Sequence, residues 1–155
     1  MARYSVSMAK NLIARSLRNI VDPVPSAQER KEVWVHFDNC CAYCGLEMSP
    51  TARIGHLDHV IPASEGGSNH VSNFVLSCPG CNGDDKRELD WETFLVEVSK
   101  GEFETRRAKI QAWLDRGTEG QRELSTEKLA VLGRVTEEAK AAVTRAADEL
   151  RALRD

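Results

Sequence analysis

Two Cys-x-x-Cys pairs, an Asp-His dipeptide between them and an Asn directly after the second pair are the residues of this 155-residue chain whose types and spacing can do chemistry. Cys41 and Cys44 form one pair, Cys78 and Cys81 the other, and 33 residues lie between Cys44 and Cys78. A gap of two lets both thiolates of a pair turn to one ion, and two such pairs supply the ligands of a tetrahedral four-cysteine zinc site. No position is left open in such a set, so zinc held there is structural and not catalytic. Gly45 permits the turn that follows the first pair. Cys40 precedes the first knuckle, but its spacing of three to Cys44 is the less common one, which predicts a buried spare thiol.

Asp58, His59 and Asn82 suit a second site. A carboxylate is a hard oxygen ligand fitted to Mg²⁺ or Mn²⁺. A histidine has the pKa of a general base at neutral pH. Neighbours on a strand point to opposite faces, so Asp58 can address a cation while His59 addresses another part of the site. Asn82 directly follows a zinc ligand, which ties its position to the zinc, and its carbonyl oxygen is a second hard ligand. Two protein ligands leave positions for water and phosphate oxygens, as phosphoryl chemistry requires. His56 has strand parity with Asp58 and reads as support behind it, whereas His70 reads as a loop residue.

The elements that must position these groups follow from period and punctuation. Residues 53–61 read as a short strand ended by Pro62, residues 63–69 as a flexible, turn-rich loop, residues 74–76 as a second strand and residues 82–89 as a helix. Before them, Ser26 with Glu29 forms a capping box for a helix that carries Val33, Trp34 and Phe37 and exits near Asn39. After them, Asp90 caps a helix with Trp91, Phe94, Leu95 and Val98 on one face, closed by Lys100-Gly101. A further helix over 102–114 carries Phe103, Ile110, Trp113 and Leu114. At helical spacing the three tryptophans read as core and not as base-stacking residues. Arg106, Arg107 and Lys109 form either a basic face or, by default, solvated surface.

The termini read as accessories. Residues 1–25 are a basic docking helix or arm, with Tyr4, Met8, Leu12, Ile13, Leu17 and Ile20 in a loose helical period and, over residues 1–20, Arg3, Lys10, Arg15 and Arg18 with no acid. Residues 26–116 hold the central domain, and Gly117 and Gly120 mark a hinge or linker into residues 117–155. There Ser125 caps a long helix whose Leu129, Leu132, Thr136, Ala139, Val143, Ala146, Leu150 and Leu153 alternate by three and four. That seam serves either a homodimeric coiled coil through residues 125–154 or a hairpin folded back on the domain.

The formal net charge is −3, and residues 36–100 alone carry ten Asp/Glu against four Lys/Arg, a net of −6. Nucleic acid can meet that region only with a divalent cation to offset the acidity. No apolar run is long enough to span a bilayer and the first twenty residues lack a secretory pattern, which predicts a cytoplasmic protein with reduced cysteines.

Taken together, Cys41-Ala-Tyr-Cys44-Gly45, Leu57-Asp58-His59-Val60-Ile61-Pro62 and the run from Asn73 through Cys78-Pro-Gly-Cys81-Asn82 resemble the HNH endonuclease family of bacteria and phages, with the core motif over 41–87. The resemblance implies a ββα-metal module in a mostly helical α+β protein: two strands, a loop and a helix around one divalent ion, beside a structural zinc held by four cysteines. It implies that Asp58 and Asn82 bind Mg²⁺ or Mn²⁺, that His59 is the general base, and that Asn73 braces the loop and orients the histidine. It assigns Cys41, Cys44, Cys78 and Cys81 to zinc and Lys86 and Arg87 to the nucleic-acid backbone, although Gly83-Asp84-Asp85 stands where the family commonly has basic residues. The activity implied is hydrolysis of duplex DNA to a 5′-phosphate and a 3′-hydroxyl. The alternative is a non-catalytic zinc module that binds DNA or a protein. A module without activity has no need of Asp58, His59, Asn73 and Asn82 together, and this chain has all four.

Overall fold

A computed structural model describes residues 5–52, 54–82, 86 and 89–153. In chain order its elements are α1 (Val6–Val21), α2 (Ala27–His36), β1 (His56–His59), β2 (Phe74–Ser77), α3 (Trp91–Val98), α4 (Phe103–Leu114), α5 (Glu119–Arg122) and α6 (Thr126–Arg151), with 3-10 turns at Ala63–Glu65 and Val71–Asn73. The class is α+β and mostly helical, as the sequence implies. No described helix is long and apolar enough to cross a membrane. The contacts divide the chain into two compact units, residues 24–124 and residues 1–23 with 125–155.

In the unit of residues 24–124, local sequence sets the helix starts. The Ser26 hydroxyl accepts from the Glu29 amide, and the Glu29 carboxylate accepts from the Ser26 amide at 2.8 Å, so two otherwise orphaned donors at the head of α2 are satisfied. α2 then ends in a turn with Asp38 and Asn39 both at positive φ. Asp90 Oδ1 accepts from the amides of Glu92 and Thr93 and starts α3. α2, α3 and α4 close over the small sheet and bury Val33, Phe37, Phe94, Leu95, Ile110, Trp113 and Leu114 with the cysteine knuckles. Trp91 and Trp113 are core residues, as expected, while Trp34 is half-buried beside that core.

β1 and β2 pair antiparallel with His56 opposite Ser77, Leu57 opposite Leu76, Asp58 opposite Val75 and His59 opposite Phe74. β1 is shorter than the run expected over 53–61, of which Arg53 lies outside the described residues. It stops because a side chain takes over from the strand partner. Val60 still donates to the Asn73 carbonyl at 2.8 Å. At Ile61, however, the Asn73 carboxamide accepts the amide at 2.9 Å and donates to the carbonyl at 3.1 Å.

The loop after β1 is turn-rich but held at several points. Fully buried Asn73 also donates to the Ser68 carbonyl at 2.9 Å. The stretch read as a linker after Gly117 is built into this unit. Gly67 bridges Glu123, Ser68 donates to the Arg122 carbonyl at 2.7 Å, and Leu124 donates to the Gly66 carbonyl at 2.9 Å. The Arg122 guanidinium in turn caps the exposed end of α4 through the carbonyls of Leu114 and Gly117.

In the unit of residues 1–23 and 125–155, α1 lies along α6. Ser5 and Ser125 cap the two helices through side-chain oxygens, the second as expected. The inward line on α6 runs through Leu129, Leu132, Thr136, Ala139 and Val143 and then Ala147 in place of Ala146, while Leu150 and Leu153 are exposed. A straight helix of 3.6 residues per turn drifts off a seven-residue repeat in this direction. On α1, Ile13 and Leu17 turn inward, whereas Met8, Leu12 and Ile20 do not.

Candidate metal centre and active site

The four knuckle cysteines come together. Their sulfur atoms all lie within 4.8 Å of one another, and Cys44 Sγ is 3.8 Å from Cys78 Sγ. A zinc–sulfur bond of about 2.3 Å in a tetrahedron places its sulfurs about 3.8 Å apart, so the cluster can hold a metal ion such as zinc. Cys40 is not part of it, since its thiol donates to the Asp38 carbonyl at 3.4 Å.

The knuckles are rigid by construction. Cys41 donates to the Leu46 carbonyl at 2.8 Å, Gly45 to Cys41 at 2.9 Å, and Ala42 to Leu76 of β2 at 2.8 Å. Gly45 has a φ of +77°, and a Cβ there would run into the Arg106 guanidinium. A hydrogen bond from Cys81, aided by the backbone amides of Cys44, Cys78 and Tyr43, holds the Cys41 thiol at about 4 against the effect of burial. The same hydrogen bond, with burial, pushes Cys81 far above the ordinary thiol range, and burial raises Cys44. A dication among them favours deprotonation of all four sulfurs, which is the state that ligates.

Asp58 is held from two sides on one oxygen. Its Oδ2 accepts the Tyr43 hydroxyl at 2.8 Å and pairs with Lys86 Nζ at 2.9 Å. Lys86 is only 2% exposed and also donates to the His59 carbonyl at 2.7 Å. The residue read as a backbone contact is thus an interior cation. Burial, then the charge and hydrogen bond of Asp58, push the Tyr43 phenol well above its ordinary pKa, so the hydroxyl is a donor at neutral pH.

His59, the strand neighbour of Asp58, turns to a different environment. Its Nε2 is 3.0 Å from Asn69 Oδ1, and its ring lies 4.1 Å from that of Phe74. It opens on a cleft of about 360 Å³ whose lining includes Asn82, Asn69, His56, Arg30 and Trp34. Asn82 is tied there to the second knuckle by the hydrogen bond that its backbone N–H donates to the Cys78 carbonyl at 2.9 Å. His56 is exposed at the start of β1. His70 is a loop residue, as read, whose ring binds the Ser72 hydroxyl at 2.8 Å. Arg87, Asp84 and Asp85 lie outside the described residues, as does most of the helix expected over 82–89.

Asn73 and Asn69 divide the work that the sequence reading gives to Asn73. Asn73 braces the loop through Ile61 and Ser68, while the side chain against the His59 ring is that of Asn69. Sequence reasoning misses Asn69 and Tyr43. The first sits in a polar loop run, and the second reads as filler between zinc ligands. Arg106, Arg107 and Lys109 do not form an open basic face, since they pair with Glu102, Glu92 and Asp38.

The HNH endonuclease family model matches residues 41–93, which take in both knuckles, both strands and the start of α3. A comparison with curated proteins finds no match. Over that third of its length, with the cysteine cluster and the Asp58–His59 strand at its centre, the chain is similar to the HNH endonuclease family.

Proposed function

We propose that the protein is a metal-dependent endonuclease that hydrolyses phosphodiester bonds of duplex DNA, leaving a 5′-phosphate and a 3′-hydroxyl. The observation that carries this reading is the meeting of His59 and Asn82 on one cleft, with the His59 ring anchored through Nε2. An amide oxygen only accepts, so Nε2 carries the proton and Nδ1 keeps its lone pair. Nδ1 is then the atom that takes a proton from water.

Asp58 and Asn82 have the donor chemistry for a hard cation. Among the described residues both partners of Asp58 sit on Oδ2, which leaves Oδ1 for an ion, and the Asn82 carboxamide adds a second oxygen. Bound Mg²⁺ or Mn²⁺ supplies charge stabilisation at the phosphate and the leaving 3′-oxygen. Zinc among Cys41, Cys44, Cys78 and Cys81 fixes Asn82, and Asn73 fixes the loop that carries Asn69. Arg30 and His56 on the cleft wall meet flanking phosphates, and Arg87 adds a backbone contact, whereas Lys86 acts through Asp58. A homodimer through residues 125–154 would turn two nicks into a double-strand cut.

The test is nicking of supercoiled plasmid with Mg²⁺ or Mn²⁺ by wild type, His59→Ala and Asn69→Ala, each with a chelator control. Loss of the general base is expected to slow cleavage by about 10²–10⁴, and loss of its anchor by about tenfold. Cleavage that survives His59→Ala overturns the assignment of the base. No cleavage by zinc-loaded wild type with any divalent ion points to a non-catalytic zinc module.

A further inference from the structure

One side chain reaches from the cysteine cluster to Asp58. Tyr43 stands in the first knuckle between Cys41 and Cys44, and its hydroxyl is 2.8 Å from Asp58 Oδ2. The residue has no exposed surface. The Phe94 ring meets it edge-on at 5.2 Å, and Lys86 Nζ lies 5.7 Å from its centroid. Held in this way, the ring cannot swing without moving the knuckle. The hydroxyl is therefore placed by the cysteine cluster and not by local side-chain freedom. With Lys86 on the same oxygen, it determines which edge of the Asp58 carboxylate is turned outward.

We propose that Tyr43 is a positioning residue that couples the two metal centres: the four-cysteine cluster, through the Tyr43 hydroxyl, sets the orientation in which Asp58 offers Oδ1 to the catalytic cation. Groups that hydrogen-bond a metal's ligands in this way tune the affinity of the metal without touching it. The inference rests on Asp58 being a cation ligand.

The experiment is calorimetric titration of Mn²⁺ into the zinc-loaded full chain as wild type, Tyr43→Phe and Asp58→Asn, with zinc content and thermal midpoint recorded for each. Asp58→Asn is expected to remove Mn²⁺ binding. Tyr43→Phe is expected to weaken it about tenfold at unchanged zinc content. In plasmid nicking, Tyr43→Phe should raise the apparent KM for Mn²⁺ and leave kcat near wild type at saturating ion. If Asp58→Asn binds Mn²⁺ like wild type, the underlying assignment of Asp58 fails. If Asp58→Asn loses the ion while Tyr43→Phe does not weaken it, or lowers only kcat, the coupling fails and the assignment stands.

A second measurement needs no variant. Coupling is reciprocal in binding free energy, so saturating Mg²⁺ is expected to tighten zinc binding by wild type several-fold in competition with a zinc-chelating dye. Zinc affinity unchanged at saturating Mg²⁺ overturns the proposal.

Discussion

Lys86 Nζ sits 2.9 Å from Asp58 Oδ2 with its side chain almost wholly out of solvent, and the same ammonium reaches the carbonyl of His59 at 2.7 Å. One buried charge thus holds both members of the Asp-His dipeptide, one by side chain and the other by backbone. The two residues project to different surroundings from adjacent positions of β1, and Lys86 fixes the backbone from which they diverge.

Removing that charge should be costly. Lys86→Met leaves the Asp58 carboxylate unpaired, and breaking a buried pair from one side costs about 3–5 kcal/mol. Asp58 retains some exposure, its side chain being 16% accessible, so the lower end of that range is expected in urea unfolding. Adding Asp58→Asn to Lys86→Met is expected to return part of the loss, because the orphaned charge is then gone. A double variant no more stable than Lys86→Met would remove this account of the pair.

Asn73→Ala should release the loop before it unfolds the domain. The substitution leaves the Ile61 amide, the Ile61 carbonyl and the Ser68 carbonyl without their partner. The Ser68 bond is buried and the two at Ile61 are part-buried, so from about 1–3 kcal/mol for a fully buried group left unsatisfied a total loss of about 2 kcal/mol is expected. Hydrogen exchange checks it, with Ile61 protection collapsing while Leu57 and Leu76 at the centre of the sheet keep theirs.

Cys78→Ser should remove the bound metal and the fold together. The cysteines belong to the same buried cluster as Val33, Phe94 and Trp113, so ligand loss opens the core itself. Metal-binding free energy in such sites is folding free energy. Elemental analysis is expected to show zinc lost, and near-ultraviolet circular dichroism to show aromatic packing lost with it. A zinc-free variant with the native spectrum would contradict this.

Acid should weaken the head of α2. The Ser26 hydroxyl, then its backbone amide, hold the Glu29 carboxyl below its ordinary value of 4.5. The folded pKa is depressed, so this contribution is complete above the unfolded value and disappears as pH falls through the folded one. Ser26→Ala removes the hydroxyl but keeps the backbone amide, so it is expected to raise the Glu29 pKa part of the way to its ordinary value in an NMR titration and to cost about 1 kcal/mol near neutral pH. The cost should shrink in acid, where the wild type has lost the hydroxyl-to-carboxylate bond, and the part due to the Glu29 amide on the Ser26 hydroxyl should remain.

What is legible in the sequence is local. The Cys-x-x-Cys pairs, the Ser26 capping box, the Asp90 and Ser125 caps and the left-handed exit at Lys100-Gly101 each depend on residues a few positions apart, and each is present. What cannot be read depends on distant partners. Lys86 reads as a surface cation because nothing nearby in sequence shows that Tyr43 and Asp58 wait for it. Asn69 is one polar residue among several until β2 brings Phe74 and the loop to His59. β1 ends earlier than its residues suggest because strand propensity at Val60 and Ile61 is satisfied by a side chain and not by a strand. Glycines 117 and 120 suggest slack, yet the backbone that follows them is hydrogen-bonded to residues 66–68.

That last contact bears on how such a module travels between proteins. Residues 41–93 carry the family resemblance, but the loop that presents Asn69 is closed by residues 122–124, and the floor beneath the knuckles comes from α2 and α4. A graft limited to the recognisable segment would carry the reactive groups and leave behind what holds them still. Recombination that keeps the chemistry has to cut near residues 24 and 124, outside every motif that a search by sequence would notice.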